Sequence, residues 1–275
     1  PEETTESTLR ALWLAAYGKP CSPENAIKHP LPDLTDDQLH VLDSLIKQRL
    51  SKIPLAHITG RQNFMGIEML SDKKALIPRK ETEILGKKAL DVSIGISSNK
   101  HTVNIIDLCC GSGNLGIALA FHNPKANVFA SDVSDEAVQL THENIDYFNL
   151  HDRVKVKHSN MFEAFENDEF YENIDLIICN PPYISSYKVA KMDTEISTNE
   201  PSLAFDGGMF GLKIIQQLIR ESPKFLNPQE GWLMFEVGAG QGEMIMEICR
   251  KKELYNIVES VKDDSGNIRV VVLKI

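Results

Sequence analysis

The stretch Val103-Asn104-Ile105-Ile106-Asp107-Leu108-Cys109-Cys110-Gly111-Ser112-Gly113-Asn114-Leu115-Gly116 is an apolar run that ends in a glycine-rich turn, and a helical apolar pattern follows at once over 115–121. A buried strand that enters a helix through such a turn opens a βαβ unit, the building block of a parallel sheet covered on both faces. The same alternation runs to the end of the chain. Further strands are expected at 127–130, 154–158, 174–179 and 231–237, with a closing pair near 254–259 and 268–273. Helices are expected at 135–148, 212–222 and 242–252. Seven strands of this kind predict a doubly wound α/β domain over 81–275.

The first fifty residues read differently. Leu39, Leu42, Leu45 and Ile46 follow helical spacing, and Thr35 with Gln38 resembles a capping box ahead of them. The spacing predicts a small helical domain over 1–52. Between it and the α/β domain, residues 53–80 are broken by Gly60 and Gly66, which suits a β-hairpin connector. The 275 residues carry 42% hydrophobic and 25% charged side chains, the balance of a soluble globular protein. No apolar run approaches the roughly 20 residues of a membrane-spanning helix. A net charge of −10 disfavours a partner held through phosphate neutralisation. Five cysteines without CxxC spacing, three of them in strand-like runs, read as reduced, buried side chains. The eight histidines include no metal-binding spacing, so no metal is expected. Residue 1 is Pro rather than Met, which leaves any targeting segment open.

Glycines in the turn after the first sheet strand let backbone pass close to a ligand at the carboxyl end of that strand. The next strand ends in Asp132, 21 positions past Gly111, where a carboxylate can accept both hydroxyls of a ribose. The turn, GSGNLG, matches G-x-G-x-x-G literally and leaves a dinucleotide and S-adenosylmethionine (SAM) equally open. The fourth strand discriminates: Ile174-Asp175-Leu176-Ile177-Ile178-Cys179 runs straight into Asn180-Pro181-Pro182-Tyr183. Hydride transfer has no use for that ending, whereas methyl transfer to a planar NH2 group does. The nitrogen of an amide or a ring amine is a poor nucleophile until its protons are held and its lone pair is aimed. The Asn180 side-chain oxygen can accept one proton and the Pro181 carbonyl the other. Two prolines fix φ around those acceptors, and Tyr183 offers a face to a flat group. Positioning of this sort lowers a barrier by roughly 7–11 kcal/mol at best. Taken alone, Asn180 to Tyr183 also reads as a loop of turn-forming residues; its place after the glycine turn and the acidic strand end carries the inference.

These residues resemble two groups of amino-methyltransferases that share a (D/N/S)PP(Y/F) signature: adenine methyltransferases, and the HemK/PrmC family of protein-(glutamine-N5) methyltransferases. The second resembles the chain over nearly its whole length. Pro54-Leu55-Ala56 with Gly60 and Phe64 belongs to the match, and Leu76-Ile77-Pro78-Arg79-Lys80-Glu81-Thr82-Glu83 is similar to that family's IPRPETE segment. Glu200-Pro201-Ser202-Leu203-Ala204 with Gly207, Gly208, Gly211 and Leu212 resembles its EPxxAL…GGxxGL stretch. Glu236-Val237-Gly238 with Gln241 and Gly242, and Asp264-Ser265-Gly266 before Arg269-Val270-Val271, continue it. The resemblance implies a seven-stranded Rossmann-like SAM-dependent methyltransferase domain behind the helical N-terminal domain. Its implied substrate is a glutamine side chain in the Gly-Gly-Gln loop of a peptide-chain release factor, gripped by the N-terminal helices.

By that resemblance Asn180, Pro181 and Tyr183 are the catalytic residues, and Asn180, Pro181, Pro182 and Tyr183 hold the substrate. Asp107, Cys109, Gly111, Gly113, Asp132, Asn160 and Asn180 bind SAM, which leaves as S-adenosylhomocysteine. A monomeric cytoplasmic enzyme without membrane or direct nucleic-acid contacts is implied. The departures from the pattern are Lys80 for a proline, Cys109 for a glycine, Phe205 for a leucine, and Ser159-Asn160 where the family has Asp. Asn160 can still accept from an adenine amino group. Arg79, Glu81 and Glu83 are expected in a charged connector or a gate over the cofactor or substrate. Asp193, Glu195 and Glu200 either shape the substrate mouth or form a solvated acidic loop, and Trp13 and Trp232 read as core. Two alternatives stand beside glutamine methylation: a nucleic-acid adenine methyltransferase, which would need a basic face, and a SAM-binding scaffold without turnover.

Overall fold

The computed structural model describes residues 3–183, 200–201 and 212–275. Asp193, Glu195, Phe205 and the Ser202 to Gly211 part of the motif lie outside the described residues. The N-terminal unit is built from α1 (Thr5–Ala16), α2 (Pro23–Ala26) and α3 (Asp36–Leu50). Both longer helices start at capping boxes, Thr4 with Ser7 and Thr35 with Gln38, each satisfying donors that a helix start leaves unpaired. Their apolar faces meet around Ala11, Leu12, Leu14 and Leu42, with Trp13 only half-buried against them and its indole N–H donated to the Pro32 carbonyl at 2.8 Å.

A short helix, α4 (Leu55–Thr59), ends at left-handed Gly60 (φ 67°) and turns the chain into the hairpin β1 (Arg61–Phe64) and β2 (Ile67–Leu70). The two strands pair antiparallel, with Phe64 opposite Ile67. Helix α5 (Thr82–Ser97) follows, an element that the sequence reading did not anticipate.

The remaining strands are β3 (Val103–Leu108), β4 (Ala126–Asp132), β5 (Val154–His158), β6 (Leu176–Cys179), β7 (Trp232–Glu236), β8 (Ile257–Lys262) and β9 (Ile268–Lys274). Between them run α6 (Asn114–His122), α7 (Asp135–Phe148), α8 (Lys213–Glu221) and α9 (Gly242–Lys252). They form one seven-stranded sheet in the order β5-β4-β3-β6-β7-β9-β8, parallel except for β9, which runs antiparallel to both neighbours. Strand alternation splits the core between two faces. Ile105, Leu176 and Ile178 join the face that carries the hairpin and α5, while Ile106, Ile177 and Cys179 join the face that carries α8 and α9. Each such fully buried aliphatic side chain contributes about 1.5–3 kcal/mol. Trp232, expected in the core, is half-buried at a strand end with Lys274 over its ring.

The chain moves outward from β3 through β4 to β5, then returns to β6 on the other side of β3. Ligands bind at the carboxyl-end crevice of this reversal. Register sets Leu108 opposite Cys179, so the turn after β3 and the segment after β6 emerge side by side.

Candidate active site

The turn after β3 is fixed from beneath. Asp107 is fully buried, and its Oδ2 accepts from the Gly116 N–H at 2.8 Å, tying the end of the strand to the first turn of α6. Its Oδ1 has no partner, and burial pushes the carboxyl up to about 7. From α7, Thr141 Oγ1 donates to the Gly111 carbonyl at 2.8 Å and Asn144 Nδ2 to the Ser112 carbonyl at 3.0 Å. Gly111 and Gly113 are both left-handed, with φ of 57° and 78°. Their surroundings differ. A Cβ on Gly111 would meet nothing within 4 Å, whereas one on Gly113 would sit 2.8 Å from Thr141 Cγ2. Gly111 therefore opens onto free space, while Gly113 is required by packing. Cys109 also adopts a left-handed conformation, φ 56°, which is why a glycine suits this position; the thiol is half-buried, 4.0 Å from Met161 Sδ.

A cavity of about 280 Å³ lies above this turn. Of the sequence-selected residues, Cys109, Gly111, Asp132, Asn160, Asn180 and Pro182 line it. Asp107, Gly113, Pro181 and Tyr183 do not. Asp132 ends β4, and its two oxygens accept from the Gly111 N–H at 2.9 Å and the Ser134 N–H at 3.0 Å. A carboxylate has about four acceptor sites, so Asp132 keeps capacity to accept from ribose hydroxyls. Burial raises the Asp132 pKa, opposed by the N–H groups of Ser134, Gly111 and Val133. Asn160 is exposed at the rim, and its Nδ2 donates to Glu163 Oε1 at 2.9 Å. Its amide oxygen is thereby the end left to accept from a ligand amino group. The donor set fits an adenosyl ligand: acceptors for hydroxyls at Asp132, an acceptor at Asn160, and open space over Gly111.

Asn180 stands beside the same cavity at the end of β6. Its Nδ2 donates to Thr82 Oγ1 at 3.1 Å, so the amide oxygen is the end available to a substrate NH2. The loop after it is held from β7 and β9. Tyr183 Oη donates to Glu236 Oε1 at 2.9 Å, and the Tyr183 carbonyl accepts from Gln241 Nε2 at 3.0 Å. The Gln241 oxygen accepts from the Gly238 N–H at 2.9 Å, and Arg269 donates to Glu236 Oε1 at 3.2 Å. Burial raises the Glu236 pKa, with Thr82, Tyr183 and Arg269 acting against it, and its Oε2 has no hydrogen-bond partner. Burial and the Glu236 charge push the Tyr183 phenol up. Tyr183 thus anchors the loop, rather than offering its ring to the cavity as expected. The motif Glu236-Val237-Gly238 with Gln241, recognisable in the sequence only by resemblance, is the clamp on Asn180 to Tyr183.

The charged connector also divides. Arg79 lines the cavity and pairs with Glu200 at 2.6 Å, and Glu200 Oε2 accepts from the Ile77 N–H at 3.1 Å. Glu200 is buried with its side chain 2% exposed, which corrects its reading as part of a solvated acidic loop. Glu83 is buried too, accepting from the Met65 N–H and pairing with Lys80 and Lys87. It fastens α5 to the hairpin rather than gating a ligand. The five cysteines are free thiols, with Cys21 and Cys109 only half-buried. Among the described residues, no group of three or more His, Cys, Asp or Glu side chains could hold a metal ion, and no helix is long and apolar enough to cross a membrane.

Residues 2–60 match the family model described as PrmC N-terminal domain, and residues 94–210 match the methyltransferase small domain. A protein of Thermodesulfovibrio yellowstonii named release factor glutamine methyltransferase is 34% identical over 243 residues, covering 88% of this chain and 84% of its own length. A protein of the same name from Geobacter sulfurreducens is 31% identical over 238 residues, covering 86% of this chain and 79% of its own. Among solved structures, a human methyltransferase 10 domain containing protein superposes with a TM-score of 0.54 at 16% identity, over 84% of this chain and 96% of that one, a likeness of fold.

Proposed function

The chain belongs to the family of release factor glutamine methyltransferases, and we propose that it carries the methyl group of SAM to the side-chain amide nitrogen of a glutamine in the Gly-Gly-Gln loop of a peptide-chain release factor. Bound SAM supplies an electrophilic methyl on a sulfonium sulfur and leaves as S-adenosylhomocysteine. The residues of the chain do the positioning. Asp132 accepts the ribose hydroxyls, Asn160 accepts from the adenine, and Gly111 leaves room for the ligand above the turn. The Asn180 oxygen and the Pro181 carbonyl accept the two protons of the glutamine NH2, so that its lone pair points along the line of displacement. As the nitrogen–carbon bond forms, the carbon–sulfur pair stays on sulfur, and the extra nitrogen proton leaves to water.

The observation that carries the reading is the Asn180 amide beside the Asp132-lined cavity, with its nitrogen committed to Thr82. The net charge of −10 speaks against a nucleic-acid substrate. Incubation with methyl-labelled SAM, a release factor, its Gln→Ala loop variant and an adenine-containing duplex tests it. Label is expected in the intact release factor alone. Equal label in both proteins, or label in the duplex, removes glutamine as the acceptor; SAM binding without label anywhere favours a scaffold.

A further inference from the structure

A side-chain amide has two ends of nearly equal size and opposite polarity, and rotation about one bond exchanges them. At Asn180 that exchange would matter. With the oxygen toward the acceptor the amide can take a proton of the substrate NH2; with the nitrogen toward it, two donors would face each other. Such a contact is repulsive, and leaves a buried donor unsatisfied.

We propose that Thr82 is a positioning residue whose hydroxyl decides which end of the Asn180 amide faces the acceptor nitrogen. The inference rests on the methyl-transfer reading above. Thr82 is 1% exposed, borders the cavity, and is the first residue of α5. Its hydroxyl oxygen lies 3.1 Å from Asn180 Nδ2. A hydroxyl has one proton; the acceptor open to it is Glu236, whose buried Oε2 has no hydrogen-bond partner and whose pKa Thr82 acts to lower. Toward Asn180 the oxygen is left only its lone pairs, so the Asn180 nitrogen must face it. Arg269 and Tyr183 keep the Glu236 carboxylate in place, and the Glu83 contacts hold the start of α5 against the hairpin. A helix start and three strands thus converge on one polarity choice.

The test compares Thr82→Val, which keeps the shape and removes the hydroxyl, with Thr82→Ser, which keeps the hydroxyl. Two quantities are read in the full-length protein: methyl transfer to a release factor, and proton exchange of the Asn180 side-chain NH2 by nitrogen-15 NMR. In the wild type one Asn180 amide proton is expected to be protected. In Thr82→Val that protection disappears and kcat falls about tenfold, the worth of one well-placed hydrogen bond, with the SAM Kd within about twofold. Thr82→Ser restores both. Unchanged Asn180 protection in Thr82→Val overturns the inference, as does loss of activity that Thr82→Ser fails to rescue. If the wild type labels no glutamine, the substrate reading fails, and the amide protection alone decides the role of Thr82.

Discussion

Asn180 and Asp107 are both polar residues at strand ends of the same crevice, but the surroundings give them opposite tasks. Asn180 is presented to the cavity by partners that occupy only its nitrogen. Replacing it by alanine removes the acceptor that the proposed transfer uses and leaves the Asp132 side of the cavity intact. Asn180→Ala is therefore expected to keep SAM affinity within a few-fold while kcat falls by about 10²–10³, the scale for losing one preorganised polar contact. Calorimetry beside turnover measures the two; equal losses in both would make the loop merely structural. Asp107 is turned inward. Its pKa moves from 3.8 in the open chain to about 7 in the fold. The folded protein therefore holds a proton that the unfolded chain releases, and the stability this confers is present at low pH and lost as pH rises to about 7. Asn at this position cannot ionise. Between pH 5 and pH 8 Asp107→Asn should gain on the wild type by about 3 kcal/mol in urea unfolding, two pH units of linkage. A difference independent of pH would show that Asp107 does not titrate in this range.

The turn between β3 and α6 shows that two glycines of one motif serve different ends. Gly111→Ala adds a methyl group to open space, so it should cost only the left-handed backbone penalty of about 1–2 kcal/mol and show its main effect in SAM affinity. Gly113→Ala adds the same penalty plus overlap with Thr141 and Ile117, and should destabilise by about 2–4 kcal/mol before any ligand is added. Thermal unfolding with and without SAM separates the two; equal unfolding temperatures for the apo variants would contradict this division. Strand β3 was legible because a buried parallel strand is a near-continuous apolar run, and the edge strand β5, Val154-Lys155-Val156-Lys157-His158, because its first four residues alternate; both match the expected ranges to the residue. Helix α7 does so as well, helped by its Ser134 cap and amphipathic pattern. Helix α5 was not legible. It carries Gly86, Gly95 and the β-branched Val92, Ile94 and Ile96, all poor helix formers, and tertiary packing overrides them. Its buried positions Gly86, Ala89, Ser93 and Ser97 are a stripe of small residues, and a Cβ on Gly86 would lie 2.3 Å from Met65 Sδ of the hairpin. The site was legible at Gly111, Asp132 and Asn180, cavity-lining residues that a glycine turn or a strand end marks in the sequence. It was not where the partner is distant in the chain: nothing local in Thr82 or Glu236 announces that they meet Asn180 and Tyr183 across three strands.

At the scale of the whole molecule, β2 acts as a strut between the N-terminal helices and the glycine turn after β3. On one side Glu68 accepts from the Ser22 backbone N–H, from Ser22 Oγ at 3.0 Å and from Asn25 Nδ2, all at the start of α2. On the other, Asn144 of α7 accepts from the Leu70 N–H at 2.8 Å and donates to the Leu70 and Ser112 carbonyls. The N-terminal unit is thereby set relative to the cavity through one carboxylate and one amide. The two variants should separate docking from cofactor binding. Glu68→Ala removes three hydrogen bonds to a charged group, each worth about 1.5–3 kcal/mol, and leaves the turn after β3 untouched. If the N-terminal helices grip the release factor, loosening them should raise KM for that protein by about tenfold and leave the SAM Kd unchanged, since an unanchored unit must be ordered at each encounter. Asn144→Ala also removes support from the Ser112 carbonyl, so it should weaken SAM binding as well. Steady-state kinetics with each substrate varied in turn decides the matter. An unchanged KM for the release factor in Glu68→Ala, with the N-terminal helices shown to be loosened by faster proteolysis, would mean that the protein substrate is held by the catalytic domain alone.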